Sequence, residues 1–352
     1  MTYLDSKFAT ISRRCLVRKA ALAAGVLAMP LTHRAFAASP PKPVTVTLDW
    51  VYQGPNAGFI LAVEKGFYRE AGLDVAVTAG KGSGSTAQLV ASKATQFGFA
   101  DGYVAANGIA RGMPLKSVAS VYRRNPTAMI VLANSGINNP KDVEGKAVAI
   151  AAGSTQFQEW PAFVKGAGID GSKVQLVNSD PAGVIVALIN GRVPAVAGYA
   201  MGHVPEIEIR GNKQVRLFWF ADYNVTVISN GIIVHRDLLK SDPDLVRAFV
   251  AATIKGFLYQ RQHPDETVAV AQKYLPTIDP KITRRELDFA WKTWVTPNTR
   301  GKPLGWASPE DWADTVKVLE QYGGVKTPID PSDVFTNDFV PIGAEYVPPQ
   351  ES

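Results

Sequence analysis

The residues of this chain whose types and placement could do chemistry are Asp49-Trp50, Asn56, Ser83, Ser85, Asp101, the run Ser154-Thr155-Gln156, and Tyr199. They supply carboxylates, an indole, a phenol, amides and short hydroxyls, a mixture that stacks and hydrogen-bonds rather than attacks. The Trp50 indole offers a platform for a flat or partly apolar molecule, worth about 0.5–1.5 kcal/mol beyond the area it buries. Asp49 can accept from ring amines, or it can cap the neighbouring helix instead. Trp50 and Tyr199 could equally be packed rings, and Ser83 and Ser85 could belong to a simple tight turn. Covalent and metal chemistry find less support. The one cysteine is Cys15, and His203, His235 and His263 lie on separate segments without the paired spacing of metal ligands. No serine sits in a nucleophile elbow. No catalytic residue, metal or cofactor is expected.

The elements that must position these residues are α/β in pattern. Val44–Leu48 alternates β-branched residues and reads as a strand whose carboxyl end delivers Asp49 and Trp50. Pro55-Asn56 starts a helix with apolar Phe59, Ile60, Ala62, Val63 and Phe67, expected to run until Gly72; a second strand follows at 74–78. Strand, polar loop, helix and strand make a βαβ unit, and small molecules bind outside the carboxyl ends of such strands. The loop Gly80-Lys81-Gly82-Ser83-Gly84-Ser85-Thr86 lacks the Lys-Ser/Thr ending of a phosphate-binding loop. It retains backbone N–H groups, two hydroxyls and Ser85 as an N-cap, all available to a polar ligand at a helix start. Strands are expected at 96–101, 115–122 and 129–133, with a helix over 104–111. A second α/β series begins at 147, with Ser154, Thr155 and Gln156 after its first strand and Tyr199 at the end of the strand 195–198. Strands at 215–220 and 225–228 and a return crossing at 231–235 precede helices over 242–262, 266–274, 284–294 and 309–322.

Charge narrows the partners. The chain carries a formal +6, but +5 of it falls in residues 1–37, leaving about +1 for the remainder. A nearly neutral body lacks the basic footprint that nucleic-acid binding requires. Residues 1–37 have a basic segment containing Arg13-Arg14, an apolar segment Ala20–Leu31 too short to span a bilayer, and Ala35-Phe36-Ala37. They read as an export signal of the twin-arginine type, cleaved near Ala37, so the expected location is the periplasm. Cys15 precedes the apolar segment, which argues against a lipid anchor there.

The order Leu48-Asp49-Trp50, Pro55-Asn56-Ala57-Gly58, Ala62-Val63-Glu64-Lys65-Gly66-Phe67-Tyr68 and Ala71-Gly72-Leu73-Asp74-Val75, continued by 96–101, 140–146 and Gly153-Ser154-Thr155, resembles the ABC-transporter binding proteins for thiamine pyrimidine precursors, sulfonate, taurine and nitrate. It is most similar to the pyrimidine-precursor branch. The join Val51–Gly54 is longer than that branch's usual one, and Gly58-Phe59 stand where it tends to show a histidine. The resemblance implies a type II periplasmic binding fold with two α/β lobes. Lobe I would comprise 44–128 plus 235–345, its helical C-terminal region packing on it, and lobe II 129–234, with hinges near 125–129 and 230–234. It implies a non-enzymatic monomer that closes on a planar nitrogen-containing solute and hands it to an inner-membrane ABC permease. Sulfonate, taurine or nitrate is the alternative cargo and a sensor the alternative partner. The pyrimidine-precursor synthases that share the fold rely on a cysteine cluster missing from this chain after residue 37.

Overall fold

The computed structural model describes residues 40–325 and 328–349, so the segment 1–37 read as an export signal, with Cys15, lies outside the described residues. Two five-stranded mixed sheets organise the chain. The first has the order β2-β1-β3-β10-β4 and the second β7-β6-β8-β5-β9. In the first, β1 (Lys42–Thr47) runs parallel to β2 (Leu73–Thr78) and β3 (Phe97–Asp101), while β10 (Asn230–His235) lies antiparallel between β3 and β4 (Leu115–Ser120). In the second, β6 (Ala147–Ala151) is parallel to β7 (Gln175–Ser179) and β8 (Ala195–Tyr199). There β5 (Thr127–Leu132) is antiparallel to β8 and to β9 (Val215–Trp219).

The sequence reading counted 230–234 with the second series, but strand pairing puts them in the first sheet. The expected strand 225–228 does not form. Val225, Val227 and Ile228 are buried in irregular backbone, and the Ile228 N–H donates to Thr315 Oγ1 at 2.9 Å. The chain passes between the sheets twice, and the two passages are bonded to each other: the N–H groups of Val121 and Tyr122 donate to Asn230 O, and Ser229 N–H to Tyr122 O.

The expected helix from 57 to 72 is two pieces, Ala57–Glu64 and Phe67–Glu70, because Gly66 adopts φ +77° and turns the backbone. A side chain with a Cβ resists that conformation. Helix Pro243–Gln262 lies against Ala57–Glu64 at a glycine contact: a Cβ on Gly256 would stand 2.1 Å from Gly58 O, and one on Gly58 2.6 Å from the Phe257 ring. Phe59, Phe99, Tyr122 and Phe257 complete that core as edge-to-face and tilted pairs. The C-terminal helices cover the first sheet and also reach further. Pro280–Trp291 packs on Ala200–Ile209, which follows β8, and Pro309–Tyr322 touches Thr155–Gly166. No described helix is long and apolar enough to cross a membrane.

Candidate functional site

The carboxyl ends of β1, β6 and β8 converge on a cavity walled from both sheets. From the first side come Asp49, Trp50, Gln53, Asn56, Ser83 and Tyr122; from the second come Ser154, Thr155, Gln156, Tyr199, Met201 and His203. Eight of the ten residues singled out from sequence line it; Ser85 and Asp101 do not. Its volume is about 40 Å³, well below the ~150 Å³ of an apolar cavity that accepts benzene. A six-membered ring therefore enters only when the walls part.

Trp50 is half-buried and packs against the apolar cluster of the second sheet that includes Ala128, Ile130 and Val204, so one indole from the loop after β1 reaches across to the second sheet. The glycine loop behaves differently from its reading as an N–H cradle. Three of its amides are spent on protein: Gly80 N–H on Trp50 O, Gly82 N–H on Asp49 O and Gly84 N–H on Gly153 O across the crevice. Gly80 must be glycine, since a Cβ there would lie 1.9 Å from Leu48 O. The helix starts at Ser83 with Gly82 as its N-cap, not at Ser85, whose hydroxyl donates back to Gly82 O at 2.7 Å. Ser83 Oγ accepts from Asp101 N–H at 3.1 Å and from Thr155 Oγ1 at 3.3 Å, which leaves its own proton to donate.

Asn56 lines the cavity, but its amide is engaged in its own turn. Nδ2–H donates to Val51 O and Oδ1 accepts from Gln53 N–H. That turn, carrying the unusually long 51–54 join, is clamped from the C-terminal helices: Glu286 accepts Gly54 N–H at 2.8 Å and Gln260 donates to Gly54 O at 2.6 Å. Asp101 is fully buried behind Tyr199. It caps helix Gly102–Ala110 through Val104 N–H and accepts from the Tyr199 hydroxyl at 2.9 Å. The same hydroxyl lies 2.8 Å from Asn230 Oδ1 and 3.2 Å from Thr155 Oγ1, and receives the Ser229 hydroxyl at 3.1 Å. Tyr199 thus ties the end of β8 to the ends of β3 and β10.

Ser154 caps helix Thr155–Gly166 through Phe157 N–H. Sequence reading missed Gln53, Tyr122, Met201 and His203. The last two belong to helix Ala200–Ile209, which contains Gly202 and Pro205 and lacks a side-chain cap, so it carries no helix signal; following β8 one turn past Tyr199 would have reached them.

The electrostatics are acidic. Asp49 keeps part of its surface open to the cavity, yet protein crowding desolvates its carboxyl and pushes it up to about 7, against the steadying Asn230 side chain. Burial raises Asp101 to about 6, and raises Glu159 well above the carboxylate range, with Asp101 adding to it. Burial also lowers His203 to about 4, so its imidazole is neutral, and its Nε2 finds no partner among the described residues. No lysine or arginine lines the cavity. Among the described residues no group of three His, Cys, Asp or Glu could hold a metal ion.

Glu286 gives this region a pH signature. Burial raises it to about 8, with Glu206 adding to the rise and Gly54 N–H opposing it. Between its unfolded and folded pKa values the native state holds a proton the unfolded chain has lost, so stability falls as pH rises. Through Glu286 alone, denaturant unfolding should lose about 2 kcal/mol between about pH 6 and 8, at ~1.4 per unit. Glu286→Gln should remove that share, leaving a shallower fall from the other raised carboxyls, Asp49 and Glu159.

Comparison with known proteins follows the same lines. The chain is 26% identical over 309 residues to the riboflavin-binding protein RibY of Chloroflexus aurantiacus, covering 86% of this chain and 87% of that one. It is 23% identical to the formylaminopyrimidine-binding protein of Halalkalibacterium halodurans, covering 84% and 89%. It is 22% identical to the 4-amino-5-hydroxymethyl-2-methylpyrimidine phosphate synthase of Legionella pneumophila, covering 85% and 92%. The alkanesulfonate-binding protein SsuA of Xanthomonas axonopodis pv. citri superposes with TM-score 0.68 at 13% identity over 85% of this chain and 99% of that one, which establishes the periplasmic binding protein fold. The NMT1/THI5 like profile matches residues 54–267, and the chain belongs to that family.

Proposed function

We propose that this protein is the exported solute receptor of an ABC importer, and that it clamps a small planar, nitrogen-containing heterocycle between Trp50 and the residues after β6 and β8. The observation that carries this reading is the cavity itself: an indole wall, a carboxyl poised near neutrality and no cationic side chain. A sulfonate or nitrate would call for compensating cations, and no lysine or arginine lines the cavity; of the loop amides, those of Gly80, Gly82 and Gly84 already serve protein carbonyls. A ring bearing an amine and an acceptor nitrogen matches Asp49, the free proton of Ser83 and the neutral imidazole of His203. The relatives named for riboflavin and formylaminopyrimidine bind rings of this kind.

In this reading, one lobe is built on the first sheet and the C-terminal helices, the other on the second sheet, and the passages at 121–126 and 220–229 are the hinge. Ligand contacts from both sides favour closure over opening, which lets an inner-membrane permease tell loaded from empty. The protein acts in the periplasm as a monomer, after export directed by residues 1–37, and binds without turnover. One relative is named as a synthase; Cys15 is the only cysteine of this chain, so a reaction that needs a cysteine cluster has no residues here to carry it. Titration with aminopyrimidines, flavins, alkanesulfonates and nitrate, followed by tryptophan fluorescence and calorimetry, tests the assignment. An amine-bearing ring should bind with Kd of about 10 nM–10 μM. Tight binding of a sulfonate or nitrate with no response to any ring would overturn it.

A further inference from the structure

A second crevice lies away from this cavity, beside the passage between β4 and β5. Arg124, Arg261, Trp291, Lys292, Trp294, Val295 and Arg300 line it together with Pro348 and Pro349, around about 400 Å³. Four of these nine residues are cationic and none is acidic. Arg124, Lys292 and Arg300 are exposed, and no ion pair joins them to a carboxylate among the described residues. Arg261 stacks over the Trp291 ring at 4.4 Å, which fixes one cation at the wall.

The indoles supply an independent indication. Trp291 and Trp294 are 6% and 2% exposed, and the Nε1–H of each is buried without an acceptor. A buried donor left unpaired costs about 1–3 kcal/mol, and both nitrogens lie beneath the crevice surface, so a small repacking of the wall that gave them an acceptor would recover that cost. Balancing the carbonyl end of helix Pro280–Trp291 could account for Lys292. It does not account for Arg124 and Arg300, which come from other segments, nor for the indoles.

We propose that this crevice is a second binding site, for a multiply charged oxyanion of the phosphate type. The anion is held by Arg124, Lys292 and Arg300, and it accepts from the indole N–H groups once the wall repacks around it. Arg124 belongs to the passage between the sheets, and its N–H donates to Thr293 O, so an anion here braces that passage against the segment after helix Pro280–Trp291. The proposal is independent of the solute assigned to the first cavity.

The test is titration of the full exported protein with inorganic phosphate and with pyrophosphate at constant ionic strength, read from the indole ¹⁵N–¹H resonances, with Trp291→Phe and Trp294→Phe identifying the signals. Saturable shifts of these two resonances are expected, and the Arg124→Gln/Arg300→Gln double variant should weaken binding at least about tenfold. Circular dichroism checks that the variant is folded. Absence of a saturable shift overturns the site, as does an equal shift in the double variant, which would mark diffuse charge attraction. A response to pyrophosphate but not phosphate keeps the site and assigns it to linked phosphates.

Discussion

Truncating Trp50 to alanine should weaken solute binding by about thirtyfold to a hundredfold, close to 2–3 kcal/mol. The indole is half-buried at the end of β1, and it is the large aromatic surface that faces both Asp49 and the second sheet's residues. Losing it removes stacking and leaves a gap in the wall that the closed form must seal. Because the ring also rests on the cluster around Ala128, Ile130 and Val204, the empty protein should lose some stability too, about 1 kcal/mol. Trp50→Phe should recover most of the affinity. Calorimetry with the bound ring, set beside thermal melts of the empty protein, separates the two effects. A large drop in melting temperature with unchanged affinity would make Trp50 a packing residue only.

Asp49 carries the second large effect. Its carboxyl titrates near 7 because protein surrounds it. In the protonated form it can donate to a ring nitrogen while its other oxygen accepts from the adjacent amine. Raising the pH through about 7 removes the shared proton, so affinity for an uncharged aminopyrimidine should fall at higher pH. Asparagine keeps one donor and one acceptor in the same shape. Asp49→Asn should hold the low-pH affinity within about threefold and abolish the pH dependence, whereas Asp49→Ala should lose about tenfold to a hundredfold by leaving the ring's polar edge unpaired. A pH profile identical in wild type and Asp49→Asn would show that Asp49 does not touch the solute.

Much of the architecture was legible because its signals are local. Strand alternation at 44–48, glycine at helix stops and proline or aspartate at helix starts all act within a few residues, and the ends of β1, β6 and β8 follow from them. What was hidden depends on partners far along the chain. Asn56, Ser85 and the loop glycines have the composition of ligand donors, yet their hydrogen bonds go to Val51, Gly82 and the carbonyls of Asp49, Trp50 and Gly153. Only the fold reveals that these groups, even where they line the cavity as Asn56 does, spend these bonds on the protein itself. Asp101 is similar: it stands at a strand end, as expected, but Tyr199 covers it. Segment 225–228 has a strand's composition, but its backbone bonds to side chains, Ile228 N–H to Thr315 and Val225 O to Asn125, so it stays irregular and buried. Met201 and His203 were missed because the helix that carries them has no propensity signal, only a place next to β8.

The central claim is that a small ring is held between the strand ends of the two sheets, against Trp50. The most direct test is a crystal structure of the protein with the small molecule that co-purifies with it, identified by mass spectrometry. The account expects density stacked on Trp50, within hydrogen-bonding distance of Asp49, with Ser83 on one side and Gln156 or His203 on the other. Density resting on one sheet alone, or lying in a different crevice while this cavity stays sealed, would contradict it.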